Sequence, residues 1–112
     1  MSECLFCRIV RREIPAQIVQ EDERALVFKD LHPQAPTHVL VIPKKHLGSL
    51  LDASDEDAAL LGHLQSAASR FAAQSGLSSF RLVSNNGKGA GQSVDHLHYH
   101  LLAGRPMAWP PG

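Results

Sequence analysis

An alternation near the C-terminal end constrains this chain more than any other feature. His96, His98 and His100 take every second position, with Leu97, Tyr99, Leu101 and Leu102 between and after them. A β-strand points successive side chains to opposite faces. The period of two therefore predicts one strand over residues 96–102, imidazoles on one face and apolar side chains on the other. Same-face neighbours then stand roughly 6–7 Å apart, close enough to surround one small polar group. Three of the chain's seven histidines fall within five residues. Interleaving with core-type residues argues against an affinity tag. Two chemistries fit the pattern. One is a metal held by three imidazoles. The other is a neutral imidazole acting as nucleophile or base, flanked by imidazoles that stabilise negative charge.

The remaining totals bound the answer. With 112 residues the chain is expected to form one domain, 1–112, around one modest core. Eleven basic and eleven acidic residues give a formal charge of zero. That argues against a nucleic-acid or anionic-membrane footprint, though not against one small anionic ligand. No apolar run approaches the ~20 residues of a membrane span. The opening Met1-Ser2-Glu3-Cys4 lacks the basic-then-apolar pattern of a leader, so the expected compartment is the cytoplasm. Cys4 and Cys7 cannot build a disulfide framework, and as reduced thiols they are available to a metal. On spacing alone they could equally be two half-buried core thiols.

Leu5, Phe6, Ile9 and Val10 have helical spacing, predicting a short helix over residues 3–12 that Pro15 ends. Strands are expected at 17–20, 25–30, 37–42 and 80–85. Pro33 and Pro36 force an extended connection after Asp30, itself either a turn-forming carboxylate or an acceptor for paired ligand hydroxyls. His38 matters chemically only if its strand neighbours the histidine-rich one. Ser54 caps the longest helix, acidic in its first turn, with a buried stripe from Leu60 to Ala72 and a stop at Gly76. Three glycines in residues 87–91 would let backbone N–H groups approach an anion, with Lys88 and Ser93 adding a charge and a hydroxyl. Trp109, in a proline-rich tail, needs a surface to bury against. Five strands joined by turns, with one long and one short helix, predict an α+β fold with an antiparallel sheet.

The run His96-Leu97-His98-Tyr99-His100-Leu101-Leu102 resembles the signature of the histidine triad superfamily. Pro33-Gln34-Ala35-Pro36-Thr37-His38, Val41-Ile42-Pro43-Lys44-Lys45-His46, Gly91-Gln92-Ser93-Val94 and Trp109-Pro110-Pro111-Gly112 are similar to its nucleotide-binding branch. The resemblance implies a five-stranded antiparallel sheet and a homodimer with sheets joined across the interface. It implies cleavage of purine nucleoside phosphoramidates or of acyl and aminoacyl adenylates, with AMP or GMP as product. His98 matches the nucleophile. His100 matches the residue at the phosphate and bridging atom, and His96 and His38 match supporting histidines. Asp30 matches the ribose acceptor. Asn85, Gly91, Gln92 and Ser93 match the phosphate loop, and Phe6, Ile9, Ile14, Phe28 and Leu31 the base pocket.

Cys4 and Cys7 are similar to a pair that holds structural zinc in some members, with the other ligands matching His46 and His96. A metal-free hydrogen-bonded pair of His46 and His96 is the alternative. Asp95 departs from the family pattern, and His32 and Lys88 occupy variable positions. The competing readings are a zinc hydrolase on His96, His98 and His100, a dinucleoside polyphosphate hydrolase, and a non-catalytic nucleotide-binding scaffold.

Overall fold

Short apolar runs and one long amphipathic run sort the chain into sheet and helix. The computed structural model describes residues 4–112. Met1, Ser2 and Glu3, on which the leader argument and the start of the expected first helix rest, lie outside the described residues. Helix α1 spans Leu5–Val10. Strands β1 (Ile18–Glu21), β2 (Ala25–Lys29) and β3 (Thr37–Pro43) follow. Helix α2 spans Ala58–Gln74, β4 spans Arg81–Val83 and β5 spans Tyr99–Ala103. The five strands form one antiparallel sheet in the order β1-β2-β3-β5-β4. The expected α+β architecture is the observed one, and β3 does lie beside β5.

β2 and β3 are apolar without alternation because both faces of the central sheet are covered. On one face, Val27, Val39, Val41, Leu97, Tyr99 and Leu101 pack with Leu64, Ala67 and Ala68 of α2. On the other, Leu26, Phe28, Leu40 and Ile42 pack with Phe6 and Ile9 of α1. Leu26, Ile42, Leu64 and Leu101 are fully buried. Each contributes about 2 kcal/mol through the apolar area it removes from water.

Local chemistry sets the element ends. Cys4 caps α1, its sulfur accepting from the Cys7 N–H at 3.3 Å. The helix stops well before Pro15, because Arg12 takes a left-handed φ of 63°. Ser54 and Asp57 form a reciprocal capping box, but around a 3-10 turn at Asp55–Asp57 that leads into α2. The acidic residues thus precede the α-helix instead of forming its first turn. Gly76, at φ 69°, closes α2 as expected, with the Leu77 N–H on the Ala72 carbonyl. His63 binds the Asp22 carboxylate at 2.7 Å, which pins α2 to the β1–β2 turn.

The histidine strand is shorter than its alternation predicts. Ladder pairing begins at Tyr99, with His96 in a bend and His98 in the unpaired segment that enters the strand. The His96 N–H closes a tight turn on the Val94 carbonyl (2.8 Å), and the Leu97 N–H donates to the Leu47 carbonyl (2.6 Å) instead of to a neighbouring strand. Side-chain alternation survives the loss of pairing: Leu97, Tyr99 and Leu101 all enter the α2 core.

Candidate functional site

Opposite α2, the α1 face of the sheet leaves a hollow of about 220 Å³. Phe6, Ile9, Ile14 and Phe28 make its apolar wall, and Asp30, Ser93, His98 and His100 gather at its polar end. Leu31 sits on the rim, 87% exposed. Phe6 meets the His98 ring edge-on at 5.1 Å, so the short helix both walls the hollow and steadies the imidazole.

Each imidazole's tautomer follows from what its second nitrogen touches. His98 Nδ1 lies 2.7 Å from the His96 carbonyl oxygen. A carbonyl only accepts, so Nδ1 carries the proton, and neutral His98 keeps its lone pair on Nε2. His38 obeys the opposite logic. Its Nδ1 accepts from the Gln34 backbone N–H at 3.0 Å, so the proton of the neutral ring sits on Nε2. That Nε2–H donates to His100 Nδ1 at 2.9 Å, which leaves an N–H on His100 Nε2. One imidazole therefore offers an electron pair and its neighbour a proton donor, with ring centroids 5.0 Å apart. Burial holds His38 below the ordinary imidazole value against the pull of Asp30. Burial, helped by His98 and His38, takes His100 down to about 4. Both rings are neutral at neutral pH, as the relay requires. Asp30 takes the turn-forming role and turns its second oxygen towards the histidines. One oxygen accepts the His32 N–H at 2.7 Å and shapes the turn, while the other stands 3.5 Å from His38 Nε2.

A HIT domain model matches residues 11–107. The chain belongs to the HIT domain family. It is 58% identical to an uncharacterized HIT-like protein of Synechocystis over 99% of this chain and 98% of that one. A HIT family hydrolase of Legionella pneumophila has 51% identity and superposes with a TM-score of 0.96, covering 98% of this chain and all of that one. A histidine triad protein of Clostridium difficile gives 43% and 0.91, with 96% and 97% covered.

In this HIT chain the first triad histidine, His96, faces elsewhere. His96 Nε2 donates to the Pro43 carbonyl at 2.8 Å, which leaves the Nδ1 lone pair aimed at Cys4 Sγ (3.2 Å), Cys7 Sγ (3.5 Å) and His46 Nδ1 (3.1 Å). Burial lowers the His96 pKa to about 4, so the lone pair is available at neutral pH. Cys7 Sγ is also 3.3 Å from His46 Nδ1. Two thiols and two imidazoles converge within 4.8 Å. Tetrahedral zinc separates such donors by roughly 3.3–3.8 Å, and a ligating histidine typically donates its other N–H to a carbonyl. The donor set fits. His96, His98 and His100 do not form a metal-sized cluster among the described residues. Asp30, His38 and His100 do come within 4.8 Å of one another. Yet a metal on His38 Nε2 would need a proton on Nδ1, where the Gln34 N–H already points.

The glycine loop is folded on itself more than the sequence suggests. Lys88–Ala90 form a 3-10 turn between Gly87 and Gly91, at φ 93° and 92°. The Ala90, Gly91 and Gln92 N–H groups donate to Gly87 and Lys88 carbonyls. Gln92 braces the loop with its side chain, accepting from Gly87 N–H (2.8 Å) and donating to the Gly48 and Val94 carbonyls. Among these loop residues Ser93 lines the hollow, whereas Lys88 and Asp95 are exposed. Asn85 is placed across His100, in a second depression with Arg81 and Arg105. Sequence reasoning missed those two arginines and the Gln34 N–H. Arg81 carries a weak signal, since in β4 it is two residues from Val83, the register partner of His100.

Proposed function

We propose that this chain binds purine nucleotides and hydrolyses nucleoside 5′-phosphoramidates or acyl and aminoacyl adenylates to the mononucleotide. The observation that carries the reading is the 2.7 Å contact from His98 Nδ1 to the His96 carbonyl, which frees Nε2 as a nucleophile beside an apolar slot. The names of similar structures from Legionella pneumophila and Clostridium thermocellum, both HIT family hydrolases, support hydrolysis as the reaction class. The base would occupy the slot of Phe6, Ile9, Ile14 and Phe28, and Asp30 would accept from the ribose.

His98 Nε2 attacks the α-phosphorus. An N–P bond forms, and the bond from phosphorus to the leaving nitrogen or oxygen breaks. The His100 Nε2–H and the Ser93 hydroxyl stabilise charge on the phosphoryl oxygens and the departing atom. Water then attacks phosphorus and the N–P bond breaks, restoring the His98 lone pair. His100 Nε2 gives its proton to a departing amine and takes one back from the attacking water, so the cycle closes.

We also propose structural zinc on Cys4, Cys7, His46 and His96. There it would tie α1 to the segment that aims His98, a role that suits a reducing compartment such as the cytoplasm. A homodimer through the β4 edge is part of the same reading. β4 ends the sheet, and Phe80 beside it and Trp109 in the tail are 42% and 83% exposed.

The deciding experiment is turnover of adenosine 5′-phosphoramidate by the wild-type chain and by His98→Gly. The variant is expected to lose turnover by at least about a thousandfold while still binding AMP. Undiminished hydrolysis would refute the nucleophile. The same assay on diadenosine polyphosphates, with and without chelator, separates the polyphosphatase and zinc-hydrolase alternatives.

A further inference from the structure

The depression across His100 is about 350 Å³, and Arg81, Asn85, Arg105, His38, His100 and Leu102 all border it. Strand register fixes the arrangement. His38 pairs with Leu102, and Leu102 with Arg81, so the three form one row across β3, β5 and β4. His100 and Val83 pair in the next row on the same face. Arg81 thus stands two strand spacings, roughly 10 Å, from His38. Arg105 arrives from the other side. Its Nε donates to the Gln34 carbonyl at 2.8 Å and its Nη1 to the Pro106 carbonyl at 3.2 Å, leaving Nη2 without an acceptor among the described residues.

Charge pairing and position together single these two out among the arginines. Arg8 and Arg11 pair with Glu13, Arg12 with Glu21 and Arg70 with Asp22, while Arg24 binds His63. Arg81 and Arg105 have no carboxylate partner among the described residues, and no carboxylate lines their depression. Two uncompensated guanidiniums on one concavity, against the ring that would face the departing atom, are an anion site in search of its ligand. The base-side hollow would take the nucleotide, so the group across His100 is the one that leaves.

We infer that this depression receives the leaving group and selects one that carries its own negative charge. The inference rests on the phosphoramidase reading above. The matching chemistry is an amino acid joined to phosphorus through its amine with its carboxylate free, or a nucleoside phosphate. An aminoacyl adenylate would instead bring its ammonium against the guanidiniums. The chemistry at phosphorus is unchanged: the P–N bond breaks, the amine takes a proton, and its carboxylate stays on Arg81 and Arg105 until release.

The test compares adenosine 5′-phosphoramidates of glycine and of glycinamide, alike but for the charge, with diadenosine tetraphosphate as a third substrate. The proteins are the full wild-type chain, the Arg81→Gln/Arg105→Gln double variant and the double lysine variant. Ratios of kcat/KM within one protein cancel losses of folded material. Wild type is expected to favour the glycine conjugate by about tenfold, the lower end for partly exposed charge-assisted bonds. The double glutamine variant should bring that ratio near one and the lysine variant should keep part of it. In wild type the preference should shrink with added salt. A fall confined to the tetraphosphate in the glutamine variant would assign the anion as phosphate. The inference is overturned if wild type does not distinguish the conjugates and the glutamine variant leaves the tetraphosphate-to-glycinamide ratio unaltered. Failure of wild type to cleave the glycinamide conjugate at all would instead strike the phosphoramidase reading itself, before any ratio is taken.

Discussion

Four imidazoles do three different jobs here, and what separates them is the partner of one ring nitrogen. A carbonyl on Nδ1 makes His98 an electron-pair donor towards the hollow. A backbone N–H on Nδ1 makes His38 a proton donor to His100. A carbonyl on Nε2 leaves His96 with its Nδ1 lone pair facing two thiols. The His38–His100 relay has a consequence for stability. His100 binds a proton only near pH 4 in the folded chain and near 6.5 when unfolded. Between those values the unfolded state holds more protons, so stability rises with pH through the window and falls as acid is added. Above about pH 6.5 both states are neutral and the term vanishes. Urea denaturation at about pH 7.5 and about pH 5 should show a loss for wild type that His100→Asn reduces. An equal loss in both proteins would remove His100 from the account.

At the level of elements, loops position what the strands carry. Gln92 is the brace of the glycine loop: one side chain satisfies the Gly87 N–H and two carbonyls. Gln92→Ala should cost about 2 kcal/mol in chemical denaturation, because it leaves buried backbone groups unpaired. A cost within about 0.5 kcal/mol would show that the loop holds without it. Gly104 performs the corresponding service after β5. Its φ is 98°, and a Cβ there would lie 2.8 Å from Pro36 Cβ. Only glycine lets the chain turn this close to the Pro33–Pro36 connection and deliver Arg105 to Gln34.

Across the whole molecule, α1 covers one face of the sheet and α2 the other. The cysteine–histidine cluster joins α1 to the Pro43–His46 turn and to the triad. Chain purified without a metal-affinity tag or added zinc should carry close to one zinc per chain, and chelation should lower its Tm. Zinc-free protein of unchanged Tm would leave the metal-free histidine pair as the reading. Equilibrium sedimentation should give twice the 12.2 kDa chain mass, with Trp109 fluorescence shifting to that of a shielded indole on assembly. A monomer at micromolar concentration would end the dimer proposal.

The order of elements, the face on which Leu97, Tyr99 and Leu101 are buried, and the stop of α2 at Gly76 were all legible in the sequence. They depend on side-chain period and on the backbone preference of single residues, which are local properties. His96, His98 and His100 look equivalent by the same criterion. Tertiary contacts divide them: the Pro43 carbonyl, 53 residues away, sets the proton on His96, and the His38 ring, 62 residues away, sets the one on His100, while the His96 carbonyl sets that of His98 from two residues off. The length of β5 was decided in the same way, by a hydrogen bond from Leu97 to Leu47 that competes with strand pairing. Arg105 carried no local mark, and Arg81 only its place in the strand that pairs with β5. Their meaning comes from lying together, without a carboxylate, on the far side of His100.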